Sequence, residues 1–205
     1  MKSLGLVCVS LAVTLMPTVA FAQAGETPLA LSPIPLGVGG VEFRGYVTIE
    51  DEIDLFGVYR QGIGRDVDFG LRAGYSDVWG GGFHFGGDLR YGLPWGSGTE
   101  LRYAAAVGLQ FTLADFGNIL SVPFGVSIGS DVGTVERPVM LFGLPYLTVN
   151  RYDPDGTGAN TQLEFGVELG GEVTLTDVLI FNGVLTIASN DNSNIELALG
   201  LIYRR

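Results

Sequence analysis

The stretch from Thr161 to Thr174, TQLEFGVELGGEVT, constrains the whole chain because it supports two incompatible readings. Its glutamates, Glu164, Glu168 and Glu172, fall four residues apart and would align along a helix. Leu163, Phe165, Val167 and Leu169 instead alternate, and a helix would scatter them around its surface. Gly166, Gly170 and Gly171 each cost up to about 1 kcal/mol in a helix interior, so the segment reads as a strand. One face is then Leu, Phe, Val, Leu, and the other is glutamate interleaved with glycine. A soluble core rejects unpaired carboxylates, so one of these two faces meets an unusual environment.

The same alternation recurs along the chain. Val41, Phe43, Gly45, Val47 and Ile49 oppose Glu42, Arg44, Tyr46 and Thr48, and Ile53 to Arg60 returns. Val67, Phe69, Leu71, Ala73 and Tyr75 oppose Asp66, Asp68, Gly70, Arg72 and Gly74; Phe83 to Tyr91 opposes His84, Gly86, Asp88 and Arg90. Leu101 to Leu113 is long enough to cross an apolar slab of about 25 Å when tilted. Ile119 to Gly129 contains Pro123, which cannot donate to a ladder, so a bulge or irregular pairing is expected there. Pro138 to Tyr152 is apolar on both faces and interrupted by Pro145; Val178 to Ala188 and Ile195 to Arg204 complete the set. The count is about ten strands, with eight or twelve left open by the weaker patterns at 41–60 and 138–152.

Residues 1–22 read as a secretory signal peptide, with Lys2, an apolar run and the small-x-small site at Ala20-Phe21-Ala22. Cys8 leaves with it, so no disulfide holds the mature chain. Residues 23–40 carry Pro28, Pro33 and Pro35 followed by Gly37, Gly39 and Gly40, and read as an extended lead-in to a barrel domain at 41–205. Beyond residue 22, ten arginines face 22 acidic residues, a formal charge of −12, which argues against nucleic acid as a partner. A mean hydropathy of +0.36 with 32 glycines fits neither a disordered acidic chain nor a helical one. No later window offers about 18 consecutive apolar residues for a membrane helix.

The polar faces collect Arg72, His84, Asp88, Arg90, Arg102, Gln110, Glu164, Glu168, Glu172, Asn182 and Glu196, with both signs recurring. The apolar faces, exemplified by Phe69, Leu71, Leu163, Phe165, Val167 and Leu169, carry almost no charge. A closed antiparallel up-and-down transmembrane β-barrel satisfies both, with the apolar rows toward lipid and the polar rows in the lumen. Tyrosines near strand ends, Tyr46, Tyr59, Tyr75, Tyr91, Tyr103, Tyr152 and Tyr203, suit interfacial girdles.

In these features the chain resembles the bacterial outer-membrane β-barrel superfamily, small and porin-like, over its mature length. The last strand is the most similar piece: Leu197, Leu199, Leu201 and Tyr203 alternate with Glu196, Ala198, Gly200 and Ile202. The resemblance implies a C-terminal assembly signal at Leu199, Leu201 and Tyr203, read by the barrel-insertion machinery, in the outer membrane of a Gram-negative-type envelope. The superfamily usually ends on an aromatic residue, whereas Arg204 and Arg205 follow Tyr203 here. The implied topology leaves both termini in the periplasm and turns 77–82, 153–160 and 189–194 outside.

No motif nominates catalysis. His84 is the single histidine, expected in the lumen beside Asp88 and Arg90, and no metal or cofactor is assigned. Asp153, Asp155 and Asn160 depart from the spacing of a calcium loop and read as an ordinary turn. The favoured reading is non-enzymatic, with Arg72, Arg90 and Arg102 neutralising Glu164, Glu168, Glu172 and Asp88 as a structural plug. A narrow passive channel, cation-preferring through its acidic excess, is the competing reading. A secreted soluble barrel holding an apolar ligand and an outer-membrane lipid-modifying enzyme are the further alternatives. Composition and spacing leave the oligomeric state open.

Overall fold

The computed structural model describes residues 28–205 apart from 50–52, 77–80, 96–97, 116, 135–136, 155–157 and 190–194. The signal peptide and Asp155 of the candidate calcium loop lie outside the described residues. Ten strands follow in chain order: β1 (Val41–Ile49), β2 (Ile53–Gly62), β3 (Val67–Ser76), β4 (Gly82–Leu93), β5 (Leu101–Ala114), β6 (Gly117–Asp131), β7 (Val139–Pro154), β8 (Asn160–Thr174), β9 (Leu179–Ala188) and β10 (Ile195–Arg204). Each pairs antiparallel with its sequence neighbours, and β1 pairs with β10, so the sheet closes and no edge remains. The start of β1 and the last residue, Arg205, lie at the mouth that carries the β2–β3 and β8–β9 turns.

The period-two alternation becomes an inside and an outside. In β1 the even-numbered residues Glu42, Arg44, Tyr46 and Thr48 are buried while Phe43, Val47 and Ile49 are exposed. The alternation holds around the barrel, with even-numbered residues inward on every strand but β6, where odd-numbered ones such as Ile119, Ser121 and Ser127 face the lumen; Phe69, Leu71, Leu163, Phe165, Val167 and Leu169 thus belong to the outer face, as do Leu199, Leu201 and Tyr203. Among outward-facing positions of the strands only Arg151 and Asp153 are charged, and both sit at one end of β7. This uncharged belt far exceeds the apolar patches that water-exposed proteins tolerate, and it is the surface a hydrocarbon slab requires. A soluble barrel with an apolar interior needs the opposite arrangement of faces.

Aromatic rings crowd the two ends of the belt. Phe43 packs on Tyr59 and Tyr59 on Phe69 near the mouth that holds the start of β1 and the C-terminus; Tyr75 packs on Phe83 toward the other. Tyr46 is a correction to the girdle expected from sequence. It points inward, is buried, and stacks on Phe56 with centroids 4.8 Å apart. Tyr152 also has the inward parity and donates its hydroxyl hydrogen to Glu164, 2.7 Å away.

β7 forms despite its two apolar faces because both faces have a use. Met140, Phe142, Leu144 and Tyr146 point inward and, with Tyr46, Phe56, Val58, Val184 and Ala198, make one wall of the lumen apolar. Pro145 faces outward; β7 stays continuous, but the β6–β7 pairing skips Val126 and Ser127 and resumes in the same register. Pro123 acts likewise on the β5–β6 pairing, which skips Gly108 and Leu109. The irregularity is therefore a gap in each ladder and not a bulge.

The glutamate–glycine alternation of β8 also finds its cause here. Gly166 lies opposite Tyr146 and Gly170 opposite Phe142, and each ring lies across its glycine. A Cβ on Gly170 would stand 2.6 Å from Phe142 Cε2, and one on Gly166 would stand 2.6 Å from Tyr146 Cε1. Gly170→Val is therefore expected to destabilise the barrel by about 1–3 kcal/mol through overpacking. Urea midpoints in lipid vesicles check this, and an unshifted midpoint would show that the ring can move aside.

Candidate functional site in the lumen

The described lumen is organised by an arginine–carboxylate lattice and by a segment of chain that runs through it. Arg60 on β2 reaches Asp68 on β3 at 2.5 Å and also pairs with Asp88 on β4. Asp88 in turn meets Arg72 at 3.1 Å, and Asp68 meets Arg90 at 2.6 Å. A second set joins Glu42 to Arg44 at 2.6 Å and to Arg204 at 2.5 Å, with Glu172 3.7 Å from Arg44. The side chains of Arg60, Asp68 and Asp88 have no solvent exposure, and those of Arg72 and Arg90 have 1%. Charges so deprived of water persist only when paired and hydrogen-bonded, which the alternation of signs achieves.

Residues 28–36, part of the lead-in to which sequence assigned no structure, run from the mouth, where Ile34 is 38% exposed, into the barrel. Leu29, Ala30, Leu31, Ser32 and Leu36 are buried. Five consecutive carbonyls accept hydrogen bonds from lumen side chains. Arg72 donates to Pro28 O at 2.9 Å and Leu29 O at 3.4 Å, Arg44 to Ala30 O at 2.9 Å, Ser127 to Leu31 O at 2.6 Å, and Arg90 to Ser32 O at 2.7 Å. The amides of Leu29 and Ala30 donate to the two carboxylate oxygens of Glu168 at 2.6 and 2.9 Å, and that of Leu36 donates to Asp68 at 2.6 Å.

Local chemistry explains why this sequence tolerates a lumen. Pro33 and Pro35 have no N–H, which removes two donors that would need partners inside. Ala30 has φ of 51°, a left-handed conformation unusual for a residue with a side chain, at the point where the chain leaves the two successive amides that one carboxylate holds. Leu29 and Leu31 pack with Ala106 and Leu144, and Ala30 with the apolar wall. Glycines of the barrel make room. A Cβ on Gly108 would lie 3.2 Å from Leu29 Cδ2, and one on Gly92 would lie 3.1 Å from Pro35 Cγ. Below Leu36, Gly39 adopts φ of 79° and its amide donates to Gly62 O at 3.1 Å, turning the chain into β1 at the mouth.

The residues singled out from sequence fall in different places. Arg72, Asp88 and Arg90 are in the lattice, and Glu172 borders its second set. Glu168 is buried but is held by main-chain amides and not by an arginine. Arg102 lies at the mouth, 56% exposed, 3.4 Å from Asp131. Glu164 sits toward the opposite mouth with Tyr152. His84 is buried, its ring edge-on to Phe56 at 5.9 Å, and among the described residues its Nε2 has no hydrogen-bond partner. Among the described residues no group of three His, Cys, Asp or Glu side chains is placed to hold a metal.

Sequence reasoning missed the threaded segment and the central role of Arg60. A signal for the segment existed: residues 27–41 contain no charge, although a solvated leader in so acidic a chain has every reason to carry some. Arg60 was hidden because β2 was read only as a returning strand.

No protein-family model and no curated protein matches the chain by sequence. Solved structures do match in fold. The N-terminal β-barrel domain of Pseudomonas aeruginosa OprF aligns at 14% identity and a TM-score of 0.42, covering 83% of this chain and all of that one. The KdgM porin aligns at 7% identity and 0.41, covering 80% and 98%. Ail, the attachment invasion locus protein of Yersinia pestis, aligns at 10% identity and 0.37, covering 83% and 100%. Each of these is a similarity alone; the fold of this chain is the closed ten-stranded antiparallel up-and-down barrel given by its own strand pairing. Within that fold, the lumen around residues 28–36 combines five arginines, at 44, 60, 72, 90 and 204, with five carboxylates, at 42, 68, 88, 168 and 172. Asp54 and Glu196 are also buried on inward faces, near the starts of β2 and β10, so an acidic excess persists in the rest of the lumen.

Proposed function

We propose that the protein is an integral outer-membrane barrel, closed by its own N-terminal segment and lumen lattice, with a structural or surface-interaction role and no enzymatic activity. The observation that carries this is the burial of the lattice. A water-filled pore wets its lining charges, whereas Arg60, Asp68 and Asp88 have side chains with no exposure. Among the described residues His84 is set against the Phe56 ring and its Nε2 has no hydrogen-bond partner, which favours a packing role over a hydrolytic one.

Outer-membrane residence is supported by the uncharged belt and by the signal-peptide pattern at residues 1–22. The lattice then serves as a structural plug, and Leu199, Leu201 and Tyr203 are positioned on the outer face for the insertion machinery. Single-channel recording in planar bilayers tests the closed reading. The full-length mature protein is expected to give conductance near zero, and stable cation-selective steps would overturn it. Heat-modifiable migration on denaturing gels tests membrane residence separately; recovery as a soluble, monodisperse protein without detergent would contradict it.

A further inference from the structure

We propose that the lumen is a binding site for an extended peptide, recognised through its main chain, and that residues 28–36 are its resident and exchangeable ligand. This rests on the closed-lumen reading and adds to it a ligand chemistry. The segment belongs to no strand; what holds it are eight side-chain bonds to its backbone from β1, β3, β4, β6 and β8. Such contacts do not read side-chain identity. Specificity comes from the small or aliphatic sockets at positions 29–31 and from the imino acids at 33 and 35, which bring no N–H to be satisfied.

The lattice is arranged to survive the segment's departure. Arg44 keeps Glu42, Arg72 keeps Asp88, and Arg90 keeps Asp68. None of the three arginines that grip the segment is left without a counter-ion. Glu168 differs, since among the described residues its hydrogen bonds go only to Leu29 and Ala30. It is the group that selects for two adjacent free amides. The tether is equally suited to release: a glycine turn at 37–40, with Val38 75% exposed, connects the segment to β1. A cleft of about 700 Å³ beside Pro33 and Pro35 opens at the same mouth.

The test uses the full chain, with a site-specific protease sequence inserted after Val38 so that the barrel folds with its segment in place and is cut afterwards in detergent. A fluorescent synthetic peptide of residues 24–37 is then added and followed by anisotropy. The expected result is saturable exchange, with Glu168→Gln in the cut protein weakening binding by about tenfold, as for loss of a charge-assisted hydrogen bond. The same peptide N-methylated at Leu29 and Ala30 is expected not to compete, and this control needs no barrel variant to fold. A cut segment that stays and never exchanges, up to temperatures just below unfolding, would overturn exchangeability. A segment that leaves without the labelled peptide binding would overturn the site, and equal competition by the N-methylated peptide would overturn main-chain recognition. Conductance of the uncut protein remains the separate measure of whether the lumen is closed.

Discussion

Asp68→Ala is expected to lower the unfolding free energy of the barrel by about 3–5 kcal/mol, the cost of stranding buried charge. Asp68 is the busiest acceptor in the lattice: it takes Arg60 at 2.5 Å, Arg90 at 2.6 Å and the Leu36 amide at 2.6 Å, with a side chain at 0% exposure. Its removal leaves Arg90, among the described residues, with only the main-chain oxygen and hydroxyl of Ser32 as hydrogen-bond partners, and removes a negative charge from this part of the lumen. Removing Arg90 together with Asp68 is expected to recover part of the loss, because an absent pair costs less than a broken one. The contrast is Asp131→Ala at the mouth, where Arg102 and Asp131 are 56% and 52% exposed; a change within about 0.5 kcal/mol is expected there. Urea midpoints in vesicles measure all three. Equal shifts for Asp68 and Asp131 would show that water reaches the lattice.

The fold was legible because its main determinant is local. A strand in a closed barrel has one lipid face and one lumen face, so each strand carries the whole pattern in its own residues, as Leu163 to Glu172 does. Even β7, where the pattern failed, failed for a readable reason: its inward face packs an apolar wall, so its faces differ in what they touch and not in polarity. Pro123 and Pro145 announced irregular pairing, but whether a proline makes a bulge or a gap depends on the partner strand's register, which is not local.

The site was legible only in composition. That arginines and carboxylates share the lumen followed from parity; which of them meet depends on strand stagger. Arg102 and Arg90 both have inward parity, yet one ends at the mouth in water and the other beside Asp68. Glu164, Glu168 and Glu172 form an even ladder in sequence, but one reaches Tyr152, one binds main-chain amides and one lies near Arg44. The prolines of residues 28–36 read as a featureless leader because a missing N–H looks the same in a solvated linker as in a segment chosen for having few donors to bury.

Glu168→Leu is the second large effect expected, about 2–5 kcal/mol, and its cause is not a stranded arginine. Arg72 retains Asp88 at 3.1 Å, whereas the Leu29 and Ala30 amides lose both of their acceptors, and a buried unsatisfied donor costs about 1–3 kcal/mol. Ala30, held at φ of 51°, loses with Glu168 the interaction that offsets its left-handed backbone. The loss is therefore expected in two coupled readouts: a lower urea midpoint, and amide hydrogen exchange at residues 29–31 that becomes fast while the strands stay protected. Arg72→Met is the discriminating partner. If Glu168 acted mainly as a counter-ion, the double variant would restore the midpoint. Because the geometry assigns Glu168 to the amides, the double variant is expected to be no more stable than Glu168→Leu alone, since it also strips a donor from Pro28 and Leu29 O and leaves Asp88 with a single arginine.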